Sequence, residues 1–328
     1  EFKVLAKENG VRKIKDFSFL KKLSELKLFY YTNQNQTKEK VDVANLDLTS
    51  NSKLEDVRVG QGNLQNLNFV KDLNLKNLDV EDNELNDISA LKNMTSLTEL
   101  HLDNNKLSNN NILDIAGLVN LKTLYLKNNK NISDINALEG LKNIEALELK
   151  NMNISDISVL KKLPNLRRLV VDGNPLAKNY LDIIKVLNIN TGYLGEITKE
   201  DFEWLKEYAS RATIAEATLN ENKQREFTFT KLPITVEVKK SQIKDGKVTF
   251  ENSLKDWKNM GAFLDNDKDI PTELEISADG ESLIVEIGND KSKTLKYDIN
   301  IEDYNHEFEG RPANIHGTVE LTIKVIDE

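Results

Sequence analysis

Hydrophobic residues along the middle of the chain come in pairs separated by one polar position: Val57/Val59, Leu78/Val80, Leu100/Leu102, Leu124/Leu126, Leu147/Leu149 and Leu169/Val171. The pairs recur at steps of 21, 22, 24, 23 and 22 residues. Apolar, polar, apolar is the alternation of a short strand with one buried face. Three residues after the second hydrophobe stands Asn83, Asn105, Asn129 or Asn174, and in one copy Met152 takes that place. The strands are linked by "NDISALKNMTSL", "SDINALEGLKNI" and "SDISVLKKLPNL". An earlier copy, "IKDFSFLKKLSEL" at 14–26, leads to a strand near Phe29 and Tyr31 and then to the irregular "TNQNQTKEKVDVANLDL". The pattern predicts seven turns, the first two poorly formed.

A period of about 22 residues is that of a leucine-rich repeat. One turn cannot bury its apolar face alone, so neighbours stack into a solenoid with parallel strands on its concave side. The recurrent Asn is expected inside the bend, bonding backbone groups of its own and the adjacent turn that would otherwise cost about 1–3 kcal/mol each. Methionine has no donor but fills irregular apolar gaps. Met152 therefore reads as a core residue, with its lost bonds passing to Asn151, Asn153 or water, and with Met152→Asn slightly stabilising. Gly62 and Gln34 depart from Asn at the same place in the early turns.

Beyond the repeats the periodicity changes. "PLAKNYLDIIKVL" is apolar at helical spacing, and "TKEDFEWLKEYASRA" opens on Thr198 as an N-cap with Phe202, Leu205 and Tyr208 on one face. Seven alternating runs follow, "EFTFT", "ITVEVK", "KVTF", "ELEIS", "SLIVEI", "TLKYDI" and "TVELTIKVI", with turn signals at Asp245-Gly246, Asp279-Gly280, Asn289-Asp290 and Glu309-Gly310. Seven such runs in about a hundred residues predict an antiparallel sandwich. The expected organisation is a solenoid with an N-terminal cap over 1–176, a helical cap or linker over 177–213 and a β-sandwich over 214–328.

Composition narrows the functions. Cysteine is absent, which removes disulfides, thiolate metal sites and cysteine nucleophiles. The net charge is −9, and residues 211–328 hold 16 Lys/Arg against 24 Asp/Glu, so non-specific nucleic-acid binding is not expected. No run approaches the ~18 apolar residues of a membrane span. Among three histidines, His101, His306 and His316, no catalytic spacing emerges, and no Gly-rich phosphate loop, G-x-S-x-G or H-E-x-x-H is present. "DNDKD" at 265–269 lacks the glycine and glutamate of a calcium loop, with Ile270 and Ile276 in their places. No metal or cofactor is expected.

The strand residues beside the core hydrophobes face the concave side, in rows set by the ~4.8 Å strand spacing. These rows run Asp56-Asn77-Glu99-Thr123-Ala146-Arg168, Arg58-Asp79-His101-Tyr125-Glu148-Val170 and Gly60-Glu81-Asp103-Lys127-Lys150-Asp172. Asp79, Glu81, Glu99 and Asp103 make an acidic middle, with Lys127 and Lys150 to one side and His101 and Tyr125 at the seam. Arg58, Asp79, Glu81, Glu99, His101, Asp103, Tyr125, Lys127, Glu148 and Lys150 are the candidate ligand-binding residues. His101 among carboxylates predicts association that depends on pH.

The words "LKNMTSLTELHLDNNKL", "NISDINALEGLKNIEALEL" and "NISDISVLKKLPNLRRLVVDGNP" resemble the internalin family of bacterial surface proteins, over roughly residues 14–176. That resemblance implies an α/β leucine-rich-repeat solenoid followed by an all-β immunoglobulin-like sandwich, and "HGTVELTIKV" looks like its last strand. It also implies a non-enzymatic, secreted or cell-surface bacterial protein. Its role would be adhesion or invasion and its partner a host surface protein, with leader and wall anchor outside the residues given. An intracellular scaffold or enzyme regulator is the alternative, since similar repeats occur in such proteins, and an enzyme in the C-terminal part is a remote third.

Overall fold

A computed structural model describes residues 1–6, 14, 16–33, 43, 45–178, 180–187, 189, 191–202, 225–251, 262–264, 271, 273–277, 282–302 and 313–327. They form two compact units, Glu1–Ile189 and Asn190–Glu328. Gln34, Leu205, Tyr208, His306, the 265–269 acidic run and the turns at Asp279-Gly280 and Glu309-Gly310 lie outside the described residues.

The first unit is a parallel sheet in simple chain order: β1 (Phe2–Ala6), β2 (Leu28–Asn33), β3 (Asp56–Arg58), β4 (Asn77–Asp79), β5 (Glu99–His101), β6 (Thr123–Tyr125), β7 (Ala146–Glu148) and β8 (Arg168–Val170). From β3 to β8 each strand is three residues long, with its central hydrophobe buried. It stops because the chain then turns through a left-handed residue two places after the second hydrophobe: Gln61, Asp82, Asn104, Asn128, Asn151 or Gly173. Short polar side chains and glycine tolerate that conformation best. At Gly173 (φ +73°) a Cβ would also lie 2.0 Å from Asn151 Oδ1, so glycine serves twice there. The opposite side is mostly short 3-10 helices, several of them opened by an Asx turn, such as Asp87 Oδ1 accepting from Ser89 N at 2.9 Å and Asp156 Oδ1 from Ser158 N at 2.8 Å. One turn instead carries an α-helix, α1 (Asn109–Ile115), capped by Ser108 and Asn111.

The asparagine ladder is built as expected. Asn105 Nδ2 donates to the carbonyls of Val80, Leu102 and Asp103, each at 3.0 Å, while its Oδ1 accepts from Leu85 N at 3.0 Å. Asn83, Asn129 and Asn174 repeat the arrangement on Leu64 N, Leu107 N and Ile154 N. Met152 points inward and is only 6% exposed. Its missing bonds do not pass to the Asn151 or Asn153 side chains: Asn151 Nδ2 bonds Asn128 Oδ1, and Asn153 is exposed. The donor an asparagine there would have met, Ile132 N, already bonds Asn129 O at 3.1 Å.

The region read as wholly helical, 177–213, is not. α2 (Tyr180–Ile184) and the turn at 199–202 are helical, the latter with Thr198 Oγ1 accepting from Asp201 N at 3.1 Å. Between them β9 (Thr191–Glu196, "TGYLGE") is a strand: its two glycines disfavour a helix, and threonine and tyrosine favour extended chain.

The described residues of the second unit, taken by itself, form two sheets and short helical turns. One runs β9, β10 (Arg225–Lys239), β16 (Ala313–Ile326), β15 (Ser292–Glu302), β12 (Ala262–Leu264). The other runs β11 (Lys247–Glu251), β14 (Ser282–Glu286), β13 (Leu274–Ile276). The larger sheet is mixed rather than antiparallel, because β9, β10 and β16 pair in parallel. "EFTFT" and "ITVEVK" are one strand: Pro233 does not break β10, since it lies just past Lys231, the last residue paired with β9. From β10 the Phe229 ring lies against Gly317 of β16, where a Cβ would come within 2.4 Å of the ring.

Candidate functional site

Strand pairing fixes the rows on the sheet's outer face. Arg58, Asp79, His101, Tyr125, Glu148 and Val170 are successive partners, as are Asp56, Asn77, Glu99, Thr123, Ala146 and Arg168. Backbone bonds carry the third row onward, with Asp82 N donating to Asp103 O, Asn104 N to Lys127 O and Asn128 N to Lys150 O. All ten candidate residues therefore lie along one face of the repeats. Nine are half-buried, and Asp103 is buried at 7% exposure.

Three local groups divide this face. At the first end Tyr30 extends the middle row, because β2 pairs Tyr30 with Arg58. Its hydroxyl donates to Asp56 Oδ2 at 2.7 Å, and the Arg58 guanidinium sits 4.7 Å from its ring centroid while pairing with Asp56 at 3.5 Å. Sequence reasoning missed Tyr30, although "LFYYTN" places it between the core residues Phe29 and Tyr31 by the same alternation that placed Arg58.

In the middle, His101 Nε2 lies 2.7 Å from Glu99 Oε1, and its ring is 4.5 Å from that of Tyr125 at a 36° tilt. Burial pushes the Asp79 and Glu81 carboxyls above their usual range, and Asp79 raises Glu81 further. Asp103 is the extreme case: burial, with Glu148 and Glu81 adding to it, moves its pKa up to about 7 against the pull of His101 and a 2.6 Å bond from Lys127 N. The sequence pattern points to His101 as the pH-sensitive group; the raised carboxyl of Asp103 is a second such group on the same face.

At the far end the Arg168 guanidinium lies 5.8 Å from the Tyr125 ring centroid and 3.6 Å from Glu148. Lys150 does not face the acidic middle with a free charge, because its Nζ is 2.6 Å from Asp172 Oδ2. Arg168 and Asp172 complete the ends of the rows and belong with the ten. The result is a ribbon of about 29 Å, six strand steps of ~4.8 Å, with paired charges at both ends and an acidic, partly desolvated centre beside a His-Tyr stack. Among the described residues no group of three or more His, Asp or Glu is placed to hold a metal ion, and no helix is long and apolar enough to cross a membrane.

The short parallel strands at a 22-residue pitch, closed by an internal asparagine ladder, define a leucine-rich-repeat solenoid. Among solved structures the chain is similar to internalin C2 of Listeria monocytogenes, with 24% identity, TM-score 0.49 and coverage of 55% of this chain and 75% of that one. It is also similar to internalin F of Listeria monocytogenes, with 25% identity, TM-score 0.44 and coverage of 54% and 57%. The functional domain of InlJ from Listeria monocytogenes, which includes a cysteine ladder, is 16% identical with TM-score 0.45, over 95% of this chain and 60% of that one. The chain thus spans less than two thirds of the latter two. No family model matches the chain, and no curated protein does.

Proposed function

We propose that this protein is a non-enzymatic binding protein of a bacterial surface, secreted or cell-attached, which holds a protein ligand on the strand face of its repeats. The observation that carries the reading is the ribbon from Tyr30 to Arg168. It sets stacked aromatic and guanidinium groups beside carboxyls that are half out of water, the composition of an interface anchor rather than of a solvated surface. Like charges held close and dehydrated oppose folding, and a cationic group of a partner relieves that opposition on binding. The repeat wording "NISDINALEGLKNIEALEL", similar to internalins, supports a host surface protein as the ligand. The second unit is read as an immunoglobulin-like module that accompanies the repeats.

The test is capture of host surface proteins on the immobilised chain, with wild type, Tyr125→Ala and Glu81→Lys compared. Both positions are half-buried on the face and outside the asparagine ladder, so the fold is expected to survive. Loss of the captured partner in both variants is the expected result. Retention in both, with the fold intact by circular dichroism, rejects the strand face as the binding surface.

A further inference from the structure

Among its described residues, the second unit lines an open space between its two sheets. Along the inward face of β10, Leu232 and Val238 are buried, but Ile234 and Val236 between them are only half-buried. Opposite stand Phe250 of β11 and Leu283 of β14, with Tyr297 of β15 and Leu321 of β16 beside them, so both sheets contribute to one cavity of about 350 Å3. Small-molecule sites run from about 300 to 1,000 Å3 and combine apolar walls with a few placed polar groups. Two such groups are present. Tyr297 lines the cavity at 4% exposure and brings a hydroxyl to it. Lys199, exposed at the rim, forms no ion pair among the described residues.

We propose that this cavity binds a small amphipathic carboxylate, with its apolar chain between the two sheets and its acid group on Lys199. The apolar side chains of the lining hold the chain, the ammonium at the mouth selects an anion, and the Tyr297 hydroxyl offers a donor. A chain of about ten carbons is short enough to stay soluble and within the size range of such sites. The inference is independent of the ligand on the strand face.

Decanoate and decanol, each below its aggregation limit, test it by calorimetric titration into the full chain. Saturable one-to-one binding of decanoate is expected, with decanol at least tenfold weaker. Lys199→Gln brings decanoate down to the level of decanol. Val236→Phe, which fills the space from a half-buried position, abolishes both while circular dichroism and the thermal transition stay as in wild type. Should Val236→Phe disturb the fold, Ile234→Phe, from the same inward face, serves in its place. Absence of saturable decanoate binding to the wild type, equal binding of decanol, or decanoate affinity unchanged by Lys199→Gln each overturns the proposal.

Discussion

Asp103 shows how a single side chain can depart from the pattern that predicts its surroundings. Its row alternates with the core and reads as solvent-facing, like Glu81 and Lys127 beside it. Just before the left-handed Asn104, however, its carboxyl accepts the Lys127 N–H and is drawn out of water. A carboxyl moved from 3.8 to about 7 keeps its proton in the folded chain where the unfolded chain has released it. With folded pKa above unfolded, its contribution to stability is full below about pH 4, declines as pH rises to 7 and is flat beyond. Each unit is worth about 1.4 kcal/mol, so ionised Asp103 opposes folding by a few kcal/mol at neutral pH. Asp103→Asn keeps an acceptor for Lys127 N and removes the charge. It should stabilise the fold by on the order of 2 kcal/mol at pH 7.5, with the gain vanishing near pH 4. Urea denaturation at the two pH values measures this, and an equal effect at both would show that the charge is not the cause.

At the level of the turn, Met152 is explained by length. The steps from one strand to the next vary, and the turn that begins at Leu124 carries one residue more between its ladder asparagine and the next core hydrophobe: Asn129-Lys130-Asn131-Ile132, against Asn83-Glu84-Leu85 or Asn105-Lys106-Leu107. That extra residue lets Ile132 N reach Asn129 O within its own turn. Nothing is then left for an asparagine oxygen at 152 to accept. The carbonyls it would have served, of Leu126 and Leu149, receive Asn129 Nδ2 at 2.8 Å and Asn174 Nδ2 at 2.6 Å. This reverses the expectation drawn from the ladder alone: Met152→Asn buries an oxygen without its donor and should cost about 1 kcal/mol. Deleting the exposed Lys130 restores the shorter turn, and in that background the same substitution should stabilise. A double-mutant cycle read by thermal unfolding checks the sign change, and additivity of the two changes would refute the account. The case marks what the sequence made legible. Period, core faces, ladder and lateral rows followed from side-chain alternation, because stacking imposes it on every turn. The escape of Ile132 N, the burial of Asp103 and the strand β9 inside an apparently helical stretch did not, since each depends on where a backbone group finds its partner.

For the whole molecule, the consequence is a proposed binding surface whose charges are unequally satisfied. Arg58, Arg168 and Lys150 lie against Asp56, Glu148 and Asp172, while Asp79, Glu81 and Asp103 carry carboxyls raised by burial in the centre. A partner cation placed there favours their ionised forms, so association must release protons wherever those carboxyls are still protonated in the free chain. Affinity for the captured partner should therefore rise by several-fold between pH 5.5 and 7.5, and association should slow as salt screens the exposed part of the face. Calorimetry at pH 6.5 in two buffers of different ionisation enthalpy counts the protons directly. Asp103→Asn should lower that count by removing the carboxyl shifted furthest, and a count unchanged by this substitution, or an affinity flat across the pH range, would mean that the partner does not use the acidic centre.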